Sequence, residues 1–316
     1  MIAIRPTREE DLPALSDLFR DGFGSELAPE AWEWKYRRLP GESRSLLAVD
    51  AAGRLLAHAG ALALPARWRG GEGPVWQLVD FLGRRAGSGL RPGMVPCGRA
   101  LLADLPRPAD LPWIYGFPGE RHFLLGQRTF GYRPLAEIVP WAGALPEDRE
   151  TGGQVRLEVS DHCGAWATEA EEAWERCGVA SVRRSAGFLN WRYHARPARY
   201  YRFYRIGHGG GRGVAGLAVF AFLGDQAWAA EAWLPGPPAE WEVGLRAVAA
   251  DLAASGMRGW RFWPLPAEGG ETLFRALGLE PRPERVVVGC RGGEGGPDPV
   301  AAARGFVTPM GDHDLV

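Results

Sequence analysis

The chain has almost no lysine, few cysteines and no long apolar run, and each shortage excludes a class of protein. Lys35 is the single lysine among 37 cationic residues, and we attribute the dominance of arginine to genomic GC bias. Four cysteines stand without a Cys-x-x-Cys pair, and His162-Cys163 is a lone adjacent pair. The sequence therefore predicts neither a disulfide framework nor a metal site. No apolar stretch approaches the ~18 residues that a transmembrane helix needs.

The amino terminus reads as a short strand, Ile2–Arg5, rather than as a signal peptide. Together with the free thiols, this predicts a cytoplasmic protein without a membrane span. The formal net charge of −1 gives no bulk attraction to nucleic acid or to an anionic membrane.

Basic and aromatic residues alternate between Arg192 and Arg205, a pattern that has more than one interpretation. Such interleaving occurs where proteins stack on single-stranded nucleic acid. It is also typical of an amphipathic strand with one buried aromatic face, and the near-zero net charge favours this second interpretation. An anionic acceptor, such as a sugar nucleotide or a polysaccharide precursor, is a third use for these arginines. We expect no nucleic acid as partner.

Two widely separated parts of the chain read alike. Trp34-Lys35-Tyr36 recurs as Trp191-Arg192-Tyr193, and Phe130-Gly131-Tyr132 is echoed by Leu277-Gly278-Leu279. A length of 316 residues fits two domains of about 150 residues. The repeats therefore indicate a duplicated fold.

Strands and helices alternate in each half, which predicts an α/β fold with helices on the faces of a mixed sheet. We expect a first domain at 1–143, a second at 154–291 and a tail at 292–316. The polar, turn-rich segment 144–153 is the predicted linker.

A glycine-containing motif, R-x-x-G-x-G at Arg84–Gly89, lies between a predicted strand, Val75–Leu82, and a predicted helix around Cys97–Leu105. Glycine lets the backbone approach a phosphate closely, and the following helix adds its positive end. Matching residues of the two copies are 157 positions apart at Trp34 and Trp191 but 147 apart at Gly131 and Gly278. The first copy therefore holds extra residues between these points, and Arg84–Gly89 lies in that interval. In the second copy Leu234–Pro238 is rich in proline, which lacks the N–H donors that a pyrophosphate needs. The sequence thus predicts one phosphate site, in the first half.

These features resemble the GNAT superfamily of acyl-CoA-dependent acyltransferases. Arg84–Gly89 is similar to its pyrophosphate loop, and Phe130-Gly131-Tyr132 to the close of its fourth helix. The whole chain resembles tandem GNATs, an arrangement seen in mycothiol synthases, Eis-type acetyltransferases and FemABX-like transferases. The resemblance implies two tandem GNAT-like domains, each with a mixed, mostly antiparallel central sheet flanked by helices.

The resemblance implies acetyl-CoA, or another acyl-CoA, as co-substrate and no metal. Main-chain groups near Phe81 and Leu82 would hold the pantetheine and polarise the thioester carbonyl. The implied binding residues are Phe81, Leu82, Arg84, Arg85, Ala86, Gly87, Ser88 and Gly89.

Asp80 occupies the place where the family often carries the base for the acceptor amine. It has an equally weighted alternative as a structural aspartate that caps a turn or pairs with a loop arginine. The family's tyrosine acid is replaced by Gln127, which leaves His122 and Tyr115 as candidates to protonate the leaving thiolate. Glu231 is the counterpart of Asp80 in the second half, where we expect a structural role.

The resemblance implies an N-acyltransferase. The expected acyl group is acetyl, and the expected acceptor is a small-molecule amine or a sugar-nucleotide-like compound. One alternative is an acyl or aminoacyl transferase of cell-envelope or polysaccharide precursors. Another is a non-catalytic, CoA-binding scaffold. Gln127 favours that last alternative, as do Pro92 and Pro96, which displace the start of the helix after the loop.

Overall fold

The computed structural model describes residues 1–68, 71–85, 91–106, 113–146, 155–208, 214–235, 237–265, 269–292 and 298–313. The chain divides into two compact units. The first unit comprises Met1–Ala136 and Val287–Arg304, and the second comprises Glu137–Val286 and Gly305–Val316.

The first unit is built around one mixed sheet. Its elements are β1 Ala3–Pro6, a 3-10 turn Glu9–Asp11, α1 Leu12–Phe23, α2 Pro29–Tyr36, β2 Ser43–Val49, β3 Leu55–Trp68, β4 Gly71–Gly83, α3 Met94–Asp104, β5 Ile114–Gly116, α4 Glu120–Phe130 and β6 Arg133–Ile138. The strand order is β1-β2-β3-β4-β5-β15-β6, in which β15 is Val286–Arg291. Along this order β4 and β5 pair in parallel, whereas β1–β2, β2–β3, β3–β4 and β5–β15 pair antiparallel.

The second unit repeats this plan. Its elements are β7 Trp141–Ala144, β8 Val155–Ser160, α5 Ala167–Arg176, β9 Ala180–Val182, α6 Ala186–Leu189, a π-helix Asn190–His194, β10 Tyr201–His208, β11 Val214–Leu223, β12 Gln226–Trp233, α7 Pro238–Ala254, β13 Gly259–Phe262, α8 Gly270–Ala276 and β14 Glu280–Pro281. The strand order is β14-β7-β13-β12-β11-β10-β8. Here β12 and β13 form the parallel pair. The chain closes with α9 Pro299–Ala302, β16 Phe306–Val307 and a 3-10 turn Met310–Asp312.

The units differ from the predicted ranges 1–143, 154–291 and 292–316 at two strands and at the tail. β7 follows β6 in the chain but pairs with β13 and β14 in the second sheet. β15 closes the second copy in sequence but pairs with β5 in the first sheet. Gly305–Val316 belongs to the second unit rather than standing apart. Long-range pairing decides these memberships, and a change in local composition does not reveal it.

Small residues on β3 make room for the helix that covers the first sheet. Ala57, Ala59, Ala61 and Ala63 share one face of the strand, because side chains two apart point the same way. They form a buried cluster with residues of α3, among them Leu101. The alternation thus fixes which face of β3 is covered. In the part of the chain that the structure describes, no helix is long and apolar enough to cross a membrane.

Candidate functional site

A β-bulge interrupts β4 near its carboxyl end. The register with β3 shifts between His58 and Gly60, so Asp80 and Phe81 together stand opposite Ala59. Asp80 has φ of 50°, a left-handed conformation that residues other than glycine adopt infrequently. The bulge therefore sets the direction of the Asp80 side chain.

The same end of β4 lies beyond the reach of β5. Their parallel ladder ends with Leu78 opposite Gly116, the last residue of β5, whereas β4 continues to Gly83. Over the described residues, β5 offers no main-chain partner to β4 past Leu78. Main-chain groups near Phe81 and Leu82 therefore lie past the end of the β4–β5 ladder.

The Asp80 carboxylate is held by two neighbouring residues of α2. Lys35 donates from Nζ to Oδ1 at 3.0 Å and to Oδ2 at 3.1 Å, and the Tyr36 hydroxyl donates to Oδ2 at 2.7 Å. The Lys35 and Asp80 side chains are only 9% and 6% exposed. Asp80 thus pairs with the lysine of α2 and not with a loop arginine.

His58 supports the bulge from β3. Its Nδ1–H donates to the Asp80 main-chain oxygen at 2.8 Å, and its Nε2 lies 2.9 Å from Ser45 Oγ. Ser45 Oγ in turn lies 2.7 Å from Thr7 Oγ1. Burial lowers the pKa of His58 below its usual value, and this outweighs the opposite influence of Asp80. The ring is therefore neutral at pH 7 and fixes the bulge by hydrogen bonds.

Lys35, Tyr36 and His58 are site residues that the sequence did not predict. Two signals pointed to the first two residues: the repeated Trp-x-Tyr motif, and the presence of one lysine in an arginine-rich chain. Nothing local marks His58, because its partners lie on β4 and β2.

The two candidate acids occupy different environments. His122 on α4 is partly buried, and its ring centre lies 6.1 Å from that of Phe81. Burial lowers the pKa of His122, and the positive charge of Arg91 acts in the same direction. Tyr115 is 1% exposed within β5, opposite Gln77 on β4. The structure therefore brings His122, and not the Tyr115 side chain, to a position that a ligand can approach.

The predicted phosphate loop is described only at its start. Ala86, Gly87, Ser88 and Gly89 lie outside the described residues. Arg84 donates through its main-chain N–H to Leu56 and through its guanidinium to Leu55 and Asp21. Arg85 is exposed.

The helix after the loop, α3, begins at Met94, earlier than the predicted start around Cys97. Pro96 lies in its first turn, where a helix needs no N–H donor. Pro92 and Pro96 therefore do not shift the start of α3 to Cys97, where the sequence predicted it.

The second unit carries a counterpart of the Asp80 cluster. The register between β11 and β12 also shifts, next to Glu231, and the Tyr193 hydroxyl donates to that carboxylate. Two further donors bind the Glu231 carboxylate: the Arg184 guanidinium at 3.0 Å and the Trp233 indole N–H at 2.6 Å. Glu231 is fully buried. Tyr36 and Tyr193, the last residues of the repeated motif, thus perform the same task. Complete enclosure supports the structural role expected for Glu231.

The end of the chain covers this second cluster. Arg184 also donates to Asp312 at 2.8 Å, and Arg192 donates to the Gly311 main-chain oxygen at 2.7 Å. Burial raises the pKa of Asp312 to about 6, although Arg184 opposes the shift. Residues of this last segment therefore enclose the cluster of the second unit.

The basic and aromatic run that ends at Arg205 includes an amphipathic strand, β10, which is the interpretation that the net charge favoured. Phe203 is fully buried on β10. Arg202 pairs with Asp251 at 2.8 Å, and Arg205 pairs with Glu158 at 3.1 Å. These arginines serve carboxylates of their own unit.

Comparisons with known proteins bear on the fold. No protein-family description matches the chain, and no curated protein matches it. A probable N-acyltransferase of unknown function from Enterococcus faecalis is 13% identical, with a TM-score of 0.65, over 92% of this chain and 73% of that one. A GCN5-related N-acetyltransferase from Sphaerobacter thermophilus is 17% identical, with a TM-score of 0.58, over 92% of this chain and 95% of that one.

A tandem GNAT protein from the clavulanic acid biosynthesis pathway is 12% identical, with a TM-score of 0.62. The match covers 94% of this chain and the whole of that protein. The chain therefore has the tandem GNAT fold, two GNAT-like units with mixed, mostly antiparallel sheets, which confirms the fold prediction.

Proposed function

We propose that the chain is an acyl-CoA-dependent N-acyltransferase with a single site, in the first unit, and that it transfers an acetyl group to an amine. One observation carries this proposal. Past Leu78, β4 runs beyond its ladder with β5, and its bulge there places Asp80 in a buried cluster with Lys35 and Tyr36. The tandem GNAT fold and the Arg84–Gly89 motif support it.

The cluster suits an amine acceptor. A free ammonium has a pKa near 10.4 and must lose a proton before its nitrogen can attack a thioester carbon. A carboxylate has about four acceptor positions, and Lys35 and Tyr36 use three of those on Asp80. Asp80 can therefore take one proton from the bound ammonium and leave a neutral amine, which attacks the thioester carbon. As the C–N bond forms and the C–S bond breaks, the nitrogen passes its second proton to water. The main-chain N–H of Phe81 stabilises the oxyanion of this step, since Leu82 pairs with His58 in the β3–β4 ladder.

The leaving thiolate does not need a strong acid, because an ordinary thiol has a pKa of about 8.5. His122 is mostly neutral at pH 7, since its pKa is lowered. It can donate a hydrogen bond to the departing sulfur, and water supplies the proton. Replacement of the family's tyrosine by Gln127 is thus compatible with turnover.

Calorimetry with acetyl-CoA tests the binding half of the proposal. We expect the unaltered protein to bind one acetyl-CoA and the Gly87→Pro variant to lose binding. Gly211→Pro, which changes a glycine of the second half in the same way, serves as the matched control and should bind normally. Absence of heat with the unaltered protein would refute the proposal.

Release of free thiol from acetyl-CoA tests the chemical half. It is measured with a panel of polyamines, aminoglycosides, amino sugars and amine-bearing envelope or polysaccharide precursors. We expect amine-dependent release that Asp80→Asn abolishes while acetyl-CoA binding persists. Binding without any release would identify the non-catalytic alternative. Release only with envelope or polysaccharide precursors would identify the alternative acceptor class.

A further inference from the structure

Three potential metal ligands meet on the surface of the second unit. Asp161 and His162 follow β8, and His194 ends the π-helix Asn190–His194. One ligand atom from each lies within 4.8 Å of the others, and the two imidazole ring centres are 5.4 Å apart. The side chains of Asp161, His162 and His194 are 61%, 50% and 49% exposed, so an ion can reach them from solvent.

The backbone that carries these ligands is fixed in advance. The Asn190 side chain accepts from the Cys163 main-chain N–H at 2.7 Å and donates to the Cys163 main-chain oxygen at 3.0 Å. The main-chain N–H of His162 donates to Ser160 Oγ at 3.1 Å. One side chain thus joins the loop after β8 to the start of the π-helix. Binding of an ion would therefore require little ordering of the chain.

The ring nitrogens that lie close to the Asp161 carboxylate are the two Nδ1 atoms. Nδ1 of His162 lies 2.6 Å from Asp161 Oδ1, and Nδ1 of His194 lies 4.0 Å from Asp161 Oδ2. Nδ1 of His194 also lies 3.1 Å from the Asp161 main-chain oxygen. An ion bound between the two Nδ1 atoms and the carboxylate would take the place of any proton they hold, and binding would release it.

We propose that Asp161, His162 and His194 form a binding site for one Zn²⁺ ion. Two imidazole nitrogens with a carboxylate suit zinc, whereas Mg²⁺ and Ca²⁺ prefer oxygen ligands only. Water completes the coordination on the exposed side. The site belongs to the second unit and is independent of the proposed acyltransfer.

Calorimetry of the untagged, chelator-treated chain with zinc chloride tests the proposal. We expect one Zn²⁺ per chain, with affinity at least about tenfold weaker in His162→Ala and in His194→Ala. Asp161→Asn should weaken binding as well. The matched control is His122→Ala, which removes an imidazole from the first unit and should bind zinc normally. Cobalt(II) gives a second readout, because its visible bands report coordination by nitrogen and oxygen.

Three outcomes would overturn the proposal: no binding up to about 1 mM zinc, unchanged affinity in both histidine variants, or one ion per two chains. The melting temperature of each zinc-free variant checks folding. His162→Gln, which keeps a polar side chain of similar size, replaces His162→Ala if the alanine variant unfolds.

Discussion

The Nζ atom of Lys35 lies 3.0 Å from Oδ1 of Asp80, and both side chains are more than nine-tenths buried. The arrangement places the chain's single lysine against the residue that the β4 bulge turns inward. At the corresponding position of the repeat, Arg192 binds main-chain oxygens instead. The cation of the repeated motif thus pairs with a carboxylate in the first half and binds main-chain oxygens in the second.

Lys35→Met should destabilise the protein by about 3–5 kcal/mol, because it leaves Asp80 as a buried charge without its cation. Adding Asp80→Asn should recover much of that loss, since the double variant buries no unpaired charge. Urea denaturation of the two single variants and the double variant measures the coupling. Arg54→Met, which breaks the exposed pair with Asp50, is the control and should change stability little. Additive effects of Lys35→Met and Asp80→Asn would contradict the pairing.

Tyr36→Phe and Tyr193→Phe form a matched pair. Each removes a hydroxyl that donates to a buried carboxylate and should cost about 1–3 kcal/mol of stability. Only Tyr36→Phe should also lower thiol release from acetyl-CoA, because only the first unit is proposed to hold the site. Equal effects of the two variants on thiol release would contradict the assignment to one unit.

Gly60→Ala should push Tyr36 away from Asp80, because a Cβ atom at Gly60 would overlap the Tyr36 hydroxyl. We expect a loss of about 1–3 kcal/mol by thermal or urea denaturation. Gly119→Ala is the control, since nothing lies within 4 Å of a Cβ atom there. A Gly60→Ala variant as stable as Gly119→Ala would show that Tyr36 does not occupy this place.

His58 should make the protein less stable as pH falls. Its pKa is lowered in the folded chain, so below about pH 6.5 the unfolded chain takes up a proton that the folded chain does not. Melting temperatures between about pH 7.5 and 5.5 should fall less steeply in His58→Gln than in the unaltered protein. Identical slopes would mean that His58 titrates normally.

Asp312 should have the opposite effect. Its pKa is raised from 3.8 to about 6 in the folded chain, so the folded state binds more protons between these values. The contribution of Asp312 to stability is therefore greatest at low pH and declines as pH rises through about 6. Denaturation across this range should show a decline that Asp312→Asn removes. A steeper decline in Asp312→Asn would contradict the assignment.

Much of the candidate site could be located from the sequence, but its chemistry could not. The motif beginning at Arg84 and the strand before it indicated the end of β4, and Asp80 was named on that basis. The sequence allowed Asp80 to be a base, or a structural aspartate that caps a turn or pairs with a loop arginine. In the structure its cationic partner is Lys35 of α2. A sequence shows which residues are adjacent along the chain, and Lys35 and Asp80 are 45 positions apart.

The sequence by itself determined the duplicated α/β plan, because strand and helix periodicities and repeated motifs are local properties that survive in each half. Only the tertiary structure decided that β7 and β15 join the sheet of the other copy, that Asp80 faces Lys35, and that His194 approaches His162. These relations depend on pairing between distant segments. The free energy of such pairing comes from burial and hydrogen bonding over the whole folded unit, which no local pattern records.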